Sequence, residues 1–563
     1  PRALGGHRRT VGICQRRRNE VQARAGLRRS QRQVRHTTRL LTWPQRSKAP
    51  DHMLRHSDFH WESDAIGAEP TASGLGARWA AASLAVIAYA AILTWMSGSF
   101  GYDVDVVDMP CLLLVAMLIA AGAAYALVIP GMVKQSKNAP VVLQHRLLVL
   151  VLLAGLAARL MLFGSEPILE DDYNRYLWDG AVAASGQNPY AHSPLAVRNG
   201  QAPSELTALS AQSGDTFQRI NHKSLTTIYP PVAQAAFAIA NAIAPWSLTA
   251  WRSVLFVCDI GTFLLLIRLL DAVGRPRLWV ALYWLNPVVL KEIFNSAHME
   301  AILLPFVLLA LLLTAKRRPL WATASLGIAA GIKFWPVILP PPVWRNLWGG
   351  PSRLDAGKTV LPVRRLAVGT AMLGSLMALW LAPMLLDGVG ETTGLVAYVD
   401  RWQTNSALFP AIEGSVSGLQ DWIGLTKFAP GLLARGIIAA ILVGLASFLA
   451  YRPVRGARDL VARFAVVVGT LVVLSPAQFP WYTVWMAPFL AFHAYPAFLL
   501  LSALIPLYYM LFHFVARDQG ALFNDYIVWI IWAPVLATAV ASAAMGALAS
   551  RSMRISSLRP GEA

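Results

Sequence analysis

Apolar residues along this chain cluster in long uninterrupted runs rather than alternating at strand or amphipathic-helix spacing. "WAAASLAVIAYAAILTWM" (79–96), "CLLLVAMLIAAGAAYALVIPG" (111–131) and "LLVLVLLAGLAARLMLF" (147–163) are the first three. Each is long enough to cross a hydrocarbon core of about 30 Å as a helix. Backbone in lipid must satisfy its own hydrogen bonds, so the pattern predicts an all-α polytopic membrane protein. Continued along the chain, it predicts about 12–14 transmembrane helices, the last three near 482–494, 496–515 and 525–549.

The polar stretches between the runs predict orientation, because cytoplasmic loops carry the excess of Lys and Arg. "GSFGYDVDVVDMP" (98–110) has acids and no base, whereas "KQSKNAPVVLQHR" (134–146) is basic. Alternation then places 164–229 on the extracytoplasmic side, and 387–433 becomes a second long outer loop. Two segments break the alternation. "YPPVAQAAFAIANAI" (229–243) reads as a short helix dipping in from the outer surface. "LWATASLGIAAGIKFWPVILPPPVWRNLW" (320–348) has bases on both flanks ("KRR" at 316–318; Arg345, Arg353, Lys358, Arg364 and Arg365 beyond), so it reads as a hairpin of half-helices broken near Lys333–Pro336. Broken helices at membrane depth are tolerated where they line a cavity.

Composition agrees: of 563 residues, 56% are hydrophobic and 14% charged, leaving little for a soluble domain. The net charge of +19 comes mostly from residues 1–50, with 14 Lys/Arg against Glu20 alone; the remaining 35 Lys/Arg and 29 Asp/Glu give about +6. Residues 1–77 therefore read as a basic, disordered cytoplasmic tail rather than a nucleic-acid-binding arm. With no methionine before Met53, residues 1–52 also read as upstream sequence outside the native protein. The membrane domain is placed at 78–550 and a cytoplasmic C-terminal tail at 551–563. Cys14, Cys111 and Cys258 are too scattered for a disulfide framework or a metal cluster.

Candidate chemistry begins with "EPILEDDYNRYLWDG" (166–180), which puts Glu170, Asp171 and Asp172 directly after a membrane run. Acids at a helix start meet the helix dipole favourably, which needs no function. Asp172, Arg175 and Asp179, however, fall at helical spacing on one face, and Tyr173, Tyr176 and Trp178 would float that helix at the interface. The arrangement suits general-base chemistry, or a divalent cation held by Glu170, Asp171 and Asp172. In "LYWLNPVVLKEIFNSAHMEA" (282–301), Lys291, Glu292, His298 and Glu300 lie between apolar runs, where ionisable groups are costly and mark function. Tyr229 precedes two prolines that fix a turn. Lys333 at the hairpin break either snorkels or binds phosphate, and "SPAQFPWYTVWMAPF" (475–489) would present Trp481 and Tyr482 at the outer surface.

"EDDYNRYLWDGAVAASGQNPY" (170–190), "INHKSLTTIYPPVAQ" (220–234), "WLNPVVLKEIFNSAHMEA" (284–301), "KFWPVILPP" (333–341) and "PWYTVWMAPF" (480–489) together resemble the GT-C superfamily of integral membrane glycosyltransferases. More narrowly they resemble bacterial polyprenyl-phosphate-mannose-dependent mannosyltransferases. The resemblance spans about residues 145–490. It implies a multi-pass protein of the inner or plasma membrane that moves a hexose, mannose by analogy, from a polyprenyl-phosphate donor to an extracytoplasmic glycan or lipid acceptor. A first-loop aspartate, Asp171 or Asp172, would be the base; Lys333 and Arg175 would meet the leaving phosphate. Glu170, Asp179, Tyr229, Glu292, His298, Glu300, Trp481 and Tyr482 would line the substrate site. Where relatives tend to carry an aspartate two residues after the histidine, this chain has "HME" with Glu300. The competing expectation is a transporter or lipid flippase using the same intramembrane charges.

Overall fold

A computed structural model describes residues 72–345, 363–386, 390, 392–424 and 428–557. The basic tail, the Arg353 and Lys358 flank of the hairpin and the last six residues lie outside the described residues. Among the described residues, eight helices are long and apolar enough to cross a membrane: Gly74–Phe100, Cys111–Asn138, Val141–Leu162, Leu248–Val273, Val363–Leu385, Pro430–Tyr451, Pro496–Val515 and Gly520–Leu548. Among the described residues there is no sheet; one isolated bridge joins Thr404 to Ala477.

Other apolar runs fold as shorter pieces. Pro231–Ile243, Glu300–Ala315 and Pro319–Ala330 are apolar helices of 10–17 residues. The hairpin breaks where its sequence suggests: after Ala330 the chain turns through Lys333 into a 3-10 turn at Trp335–Ile338 and a short helix at Pro340–Trp344. The run 482–494 corrects its reading as a span. It folds as a 3-10 turn at Pro480–Trp485 and a single helical turn at Ala487–Leu490, both buried. Pro480 and Pro488 lack the N–H that a continuous helix requires.

The long segment 164–229 is helical in its first part. Asp172–Ala184 packs against Pro231–Ile243, and Pro231–Ile243 in turn against Leu248–Val273. Tyr176 and Trp178 are each 2% exposed, which corrects the expectation of a helix floating on the membrane surface. Tyr176 stacks on Phe237, ring centroids 4.8 Å apart, and meets Trp251 edge-on at 5.6 Å. Burial of such aromatic surface is worth about 25 cal/mol per Å², and it draws the helix into the body of the protein.

Two buried arginines fix the approach to this helix. Arg159 pairs with Asp259 at 2.6 Å and donates to the Trp284 carbonyl at 2.8 Å, locking Val141–Leu162 to Leu248–Val273 and to the 284 turn. Arg252 donates to the carbonyls of Phe163 (3.1 Å), Ser165 (2.7 Å) and Asn295 (2.7 Å). Asn295 completes the brace through the Glu166 carbonyl (2.8 Å) and the Ile168 amide (3.2 Å). The chain therefore reaches Glu170 held on both sides, with Leu169 in the left-handed region at φ 56°.

Candidate functional site

Helix Asp172–Ala184 begins at the three acids, and its start does not use them as caps. Asp171 sits at the N-cap position, and its side chain accepts no hydrogen bond from the helix amides. The carboxylates turn instead toward Asn221, whose side-chain amide donates to Asp171 Oδ1 and to Asp172 Oδ1, each at 2.8 Å. One amide nitrogen thereby holds both acids in register. Asp172 is further engaged at Oδ2 by the Tyr176 hydroxyl at 3.4 Å. Burial, and then the neighbouring Asp172 charge, push the Asp171 carboxyl up to about 7.

Glu170 points to a different set of partners. Its Oε1 accepts from the Tyr509 hydroxyl at 2.9 Å, and its Oε2 lies 3.4 Å from His298 Nε2. The Tyr509 oxygen is also 3.0 and 3.1 Å from the two Glu292 oxygens and within hydrogen-bond reach of the Lys291 ammonium. Lys291 donates as well to Ser296 Oγ (2.8 Å) and the Ile168 carbonyl (3.2 Å). Burial dominates here and pushes Glu170 up to about 8, Lys291 opposing it. A π-turn at Leu290–Asn295, begun by Asn286 capping the Val288 amide at 2.9 Å, swings Lys291 and Glu292 inward.

His298 is fully buried, its ring stacked on Trp481 with centroids 3.9 Å apart. Among the described residues both ring nitrogens lack a hydrogen-bond partner, and Nδ1 lies 3.9 Å from Asp172 Oδ2. Trp481 and Tyr482, at 7% and 6% exposure, are inside the site rather than on the surface. Glu300 pairs with Lys333, whose ammonium sits 4.3 Å above the Tyr482 ring.

Arg175 and Asp179 pair with each other, Nε to Oδ1 at 2.8 Å, as their i,i+4 spacing allows. Arg175 also donates to the Leu225 carbonyl at 3.1 Å, while its buried Nη2 has no partner among the described residues. Asp179 accepts from Gln234 at 3.4 Å, and Gln234 also holds the Tyr229 carbonyl at 3.2 Å. Tyr229 packs edge-on against Tyr176, centroids 5.1 Å apart.

Glu170, Asp171, Asp172, Arg175, Tyr229, Lys333, Trp481 and Tyr482 line one cavity of about 880 Å³. Asp179, Glu292, His298 and Glu300 stand behind that wall. Sequence reasoning missed Asn221, read only as part of a turn motif, and Tyr509, inside an apolar run with no local signal. It also missed Tyr398 and Trp402, which reach the cavity from the second long loop. For a divalent cation, Glu170 turns away from the Asp171–Asp172 pair; among the described residues the groups that come together are Glu170, Glu292 and His298, their ligand atoms all within 4.8 Å of one another. The Lys291 ammonium, 3.8 Å from Glu292, competes for the same carboxylate.

The family model described as "Alpha-(1->6)-mannopyranosyltransferase, N-terminal domain" matches residues 71–348. That of glycosyltransferase family 87 matches residues 227–476. The two overlap across the hairpin and the His298 segment. The chain is an integral-membrane glycosyltransferase. No curated protein and no solved structure matches it. Of the residues that line the cavity, Glu170, Asp171, Asp172 and Lys333 fall within the first match, whereas Trp481 and Tyr482 lie beyond both.

Proposed function

We propose that this glycosyltransferase moves a hexose, mannose in the first instance, from a polyprenyl-phosphate donor to a glycan or lipid acceptor on the extracytoplasmic face of the cell membrane. The observation that carries the reading is the Asn221 bridge, which holds two carboxylates at the wall of a cavity that also contains a lysine.

Asp171 is the base. Both oxygens of Asp172 are occupied, by Asn221 and Tyr176, whereas Asp171 spends only Oδ1 on Asn221 and makes no cap. A carboxylate titrating near 7 is matched to accepting a proton at neutral pH. The acceptor hydroxyl gives its proton to Asp171 as its oxygen bonds to the anomeric carbon of the donor sugar. The bond from that carbon to the phosphate oxygen breaks, and its electron pair leaves with the polyprenyl phosphate, inverting the anomeric configuration. Lys333 and the unpartnered Nη2 of Arg175 supply positive charge for the departing phosphate. Apolar wall residues such as Leu471, Phe479 and Phe512 suit the first isoprene units.

The test is transfer from radiolabelled polyprenyl-phosphate mannose to membrane acceptors by the wild type and by Asp171→Asn and Asp172→Asn, each checked for insertion and folding. Loss in Asp171→Asn with retained folding supports the assignment. A wild type inert toward every polyprenyl-phosphate hexose overturns it.

A further inference from the structure

The chain leaves Asn221 through a residue that the transfer mechanism does not use. His222 is exposed, lines the cavity, and adopts a left-handed backbone at φ 44°, uncommon for a residue with a side chain. That conformation sets its imidazole against the Trp402 indole, ring centroids 4.7 Å apart and planes 61° apart. The two rings form an open corner rather than a closed stack. Trp402 is half-buried and lines the same cavity.

Trp402 is carried there by the second long loop, which is fastened at several points. The Thr226 amide donates to the Thr392 carbonyl at 3.0 Å, and the Gly394 amide to Thr226 Oγ1 at 3.2 Å. The Tyr398 and Tyr482 hydroxyls meet at 2.9 Å, and Arg435 donates to the Trp402 carbonyl at 3.1 Å. So much fastening makes the corner a built wall of the cavity.

The corner's position decides what it faces. The acceptor hydroxyl must reach Asp171, and Asn221, bonded to Asp171, is the chain neighbour of His222. The proposed phosphate cation Lys333 lies over Tyr482 and Trp485, and Tyr398 stands between Tyr482 and Trp402. An indole face with a half-wet edge suits the C–H face of a pyranose ring, and an imidazole offers both a donor and an acceptor to its hydroxyls.

We propose that His222 and Trp402 form a subsite for the second sugar of the acceptor, so that the acceptor is a saccharide of at least two residues. This rests on the glycosyltransferase reading with Asp171 as base. The experiment compares alkyl mono- and dihexoside acceptors with wild type, Trp402→Ala, Trp402→Phe and His222→Ala. The dihexoside is expected to have the lower KM with wild type. Trp402→Ala should raise that KM roughly tenfold, equivalent to about 1.4 kcal/mol, and leave the monohexoside and donor KM unchanged, with Trp402→Phe recovering most of the loss. Calorimetric binding of the dihexoside without donor should weaken in the same order. Equal loss toward both acceptors, or no change in Trp402→Ala, overturns the subsite. A wild type that binds the dihexoside through Trp402 yet transfers nothing overturns the transfer reading and leaves the subsite standing.

Discussion

Lys333 and Glu300 form an ion pair between the break of the hairpin and the first residue of the helix before it, 33 positions apart in sequence. Glu300 is fully buried, and its second carboxylate oxygen has no partner. A buried acid deprived of its cation is strongly destabilising, by about 3–5 kcal/mol. Lys333→Met should therefore unfold more readily in detergent as well as lose transfer. The double variant Lys333→Met with Glu300→Gln should regain most of the stability and none of the transfer, since in the proposed mechanism only the lysine serves the phosphate. Melting curves and transfer assays on the wild type and these two variants separate the two roles. Recovery of transfer in the double variant would remove Lys333 from phosphate binding.

Asn221 makes a sharper case for positioning. Asn221→Ala deletes both carboxylate hydrogen bonds and leaves no new charge, and misplacement of about 1 Å can cost on the order of a hundredfold in rate. The expected result is a kcat reduced about a hundredfold with the donor KM little changed, measured on protein of normal melting temperature. Asn221→Asp, which adds a third acid to the pair, should be worse. An Asn221→Ala enzyme with wild-type kcat would argue that the pair is held by other means.

As the proposed base, Asp171 must be deprotonated to act, and burial pushes its carboxyl up to about 7. Transfer should accordingly be low at acidic pH and rise as pH increases through about 7. Asp171→Asn should abolish both the activity and that limb of the pH profile, whereas Asp172→Asn, by removing the neighbouring charge, should shift the limb to lower pH. A pH series with saturating donor reads both effects.

Glu170 carries a prediction about stability rather than rate. Its folded-state carboxyl is raised to about 8 from an ordinary value near 4.5, so between those limits the folded protein binds a proton that the unfolded chain has released. Its contribution to stability is present at acidic pH and is lost as pH rises through about 8. Glu170→Gln should flatten that dependence. Thermal unfolding followed from pH 5 to 9 tests it, and parallel curves for both proteins would contradict the burial argument.

The membrane class and the broken hairpin were legible because both depend on local pattern: apolar run length, and a proline after a lysine. The acids and His298 stood out because ionisable groups among apolar runs are conspicuous. What escaped depends on distant parts of the chain. Tyr509 lies 339 positions beyond Glu170 in a run whose hydropathy says only that it spans, and nothing local tells that its hydroxyl will sit between two carboxylates. Trp481 and Tyr482 looked like interfacial aromatics because the aromatic-belt pattern and a buried aromatic wall have the same composition. Asn221 was hidden by its neighbours, the prolines at 230 and 231 making the whole motif read as a turn.

The bond between Glu170 and Tyr509 has a consequence for how the enzyme comes into being. Synthesis at about 5–20 residues per second puts roughly 17–70 seconds between the acid and the tyrosine that completes its surroundings. Through that interval the nascent chain already contains Asp171, Lys333 and His298, but not the Tyr509 phenol that bridges Glu170 and Glu292. A chain ending before Tyr509 would carry both acids without the hydroxyl that bridges them, so the last two spans complete a cluster begun more than three hundred residues earlier.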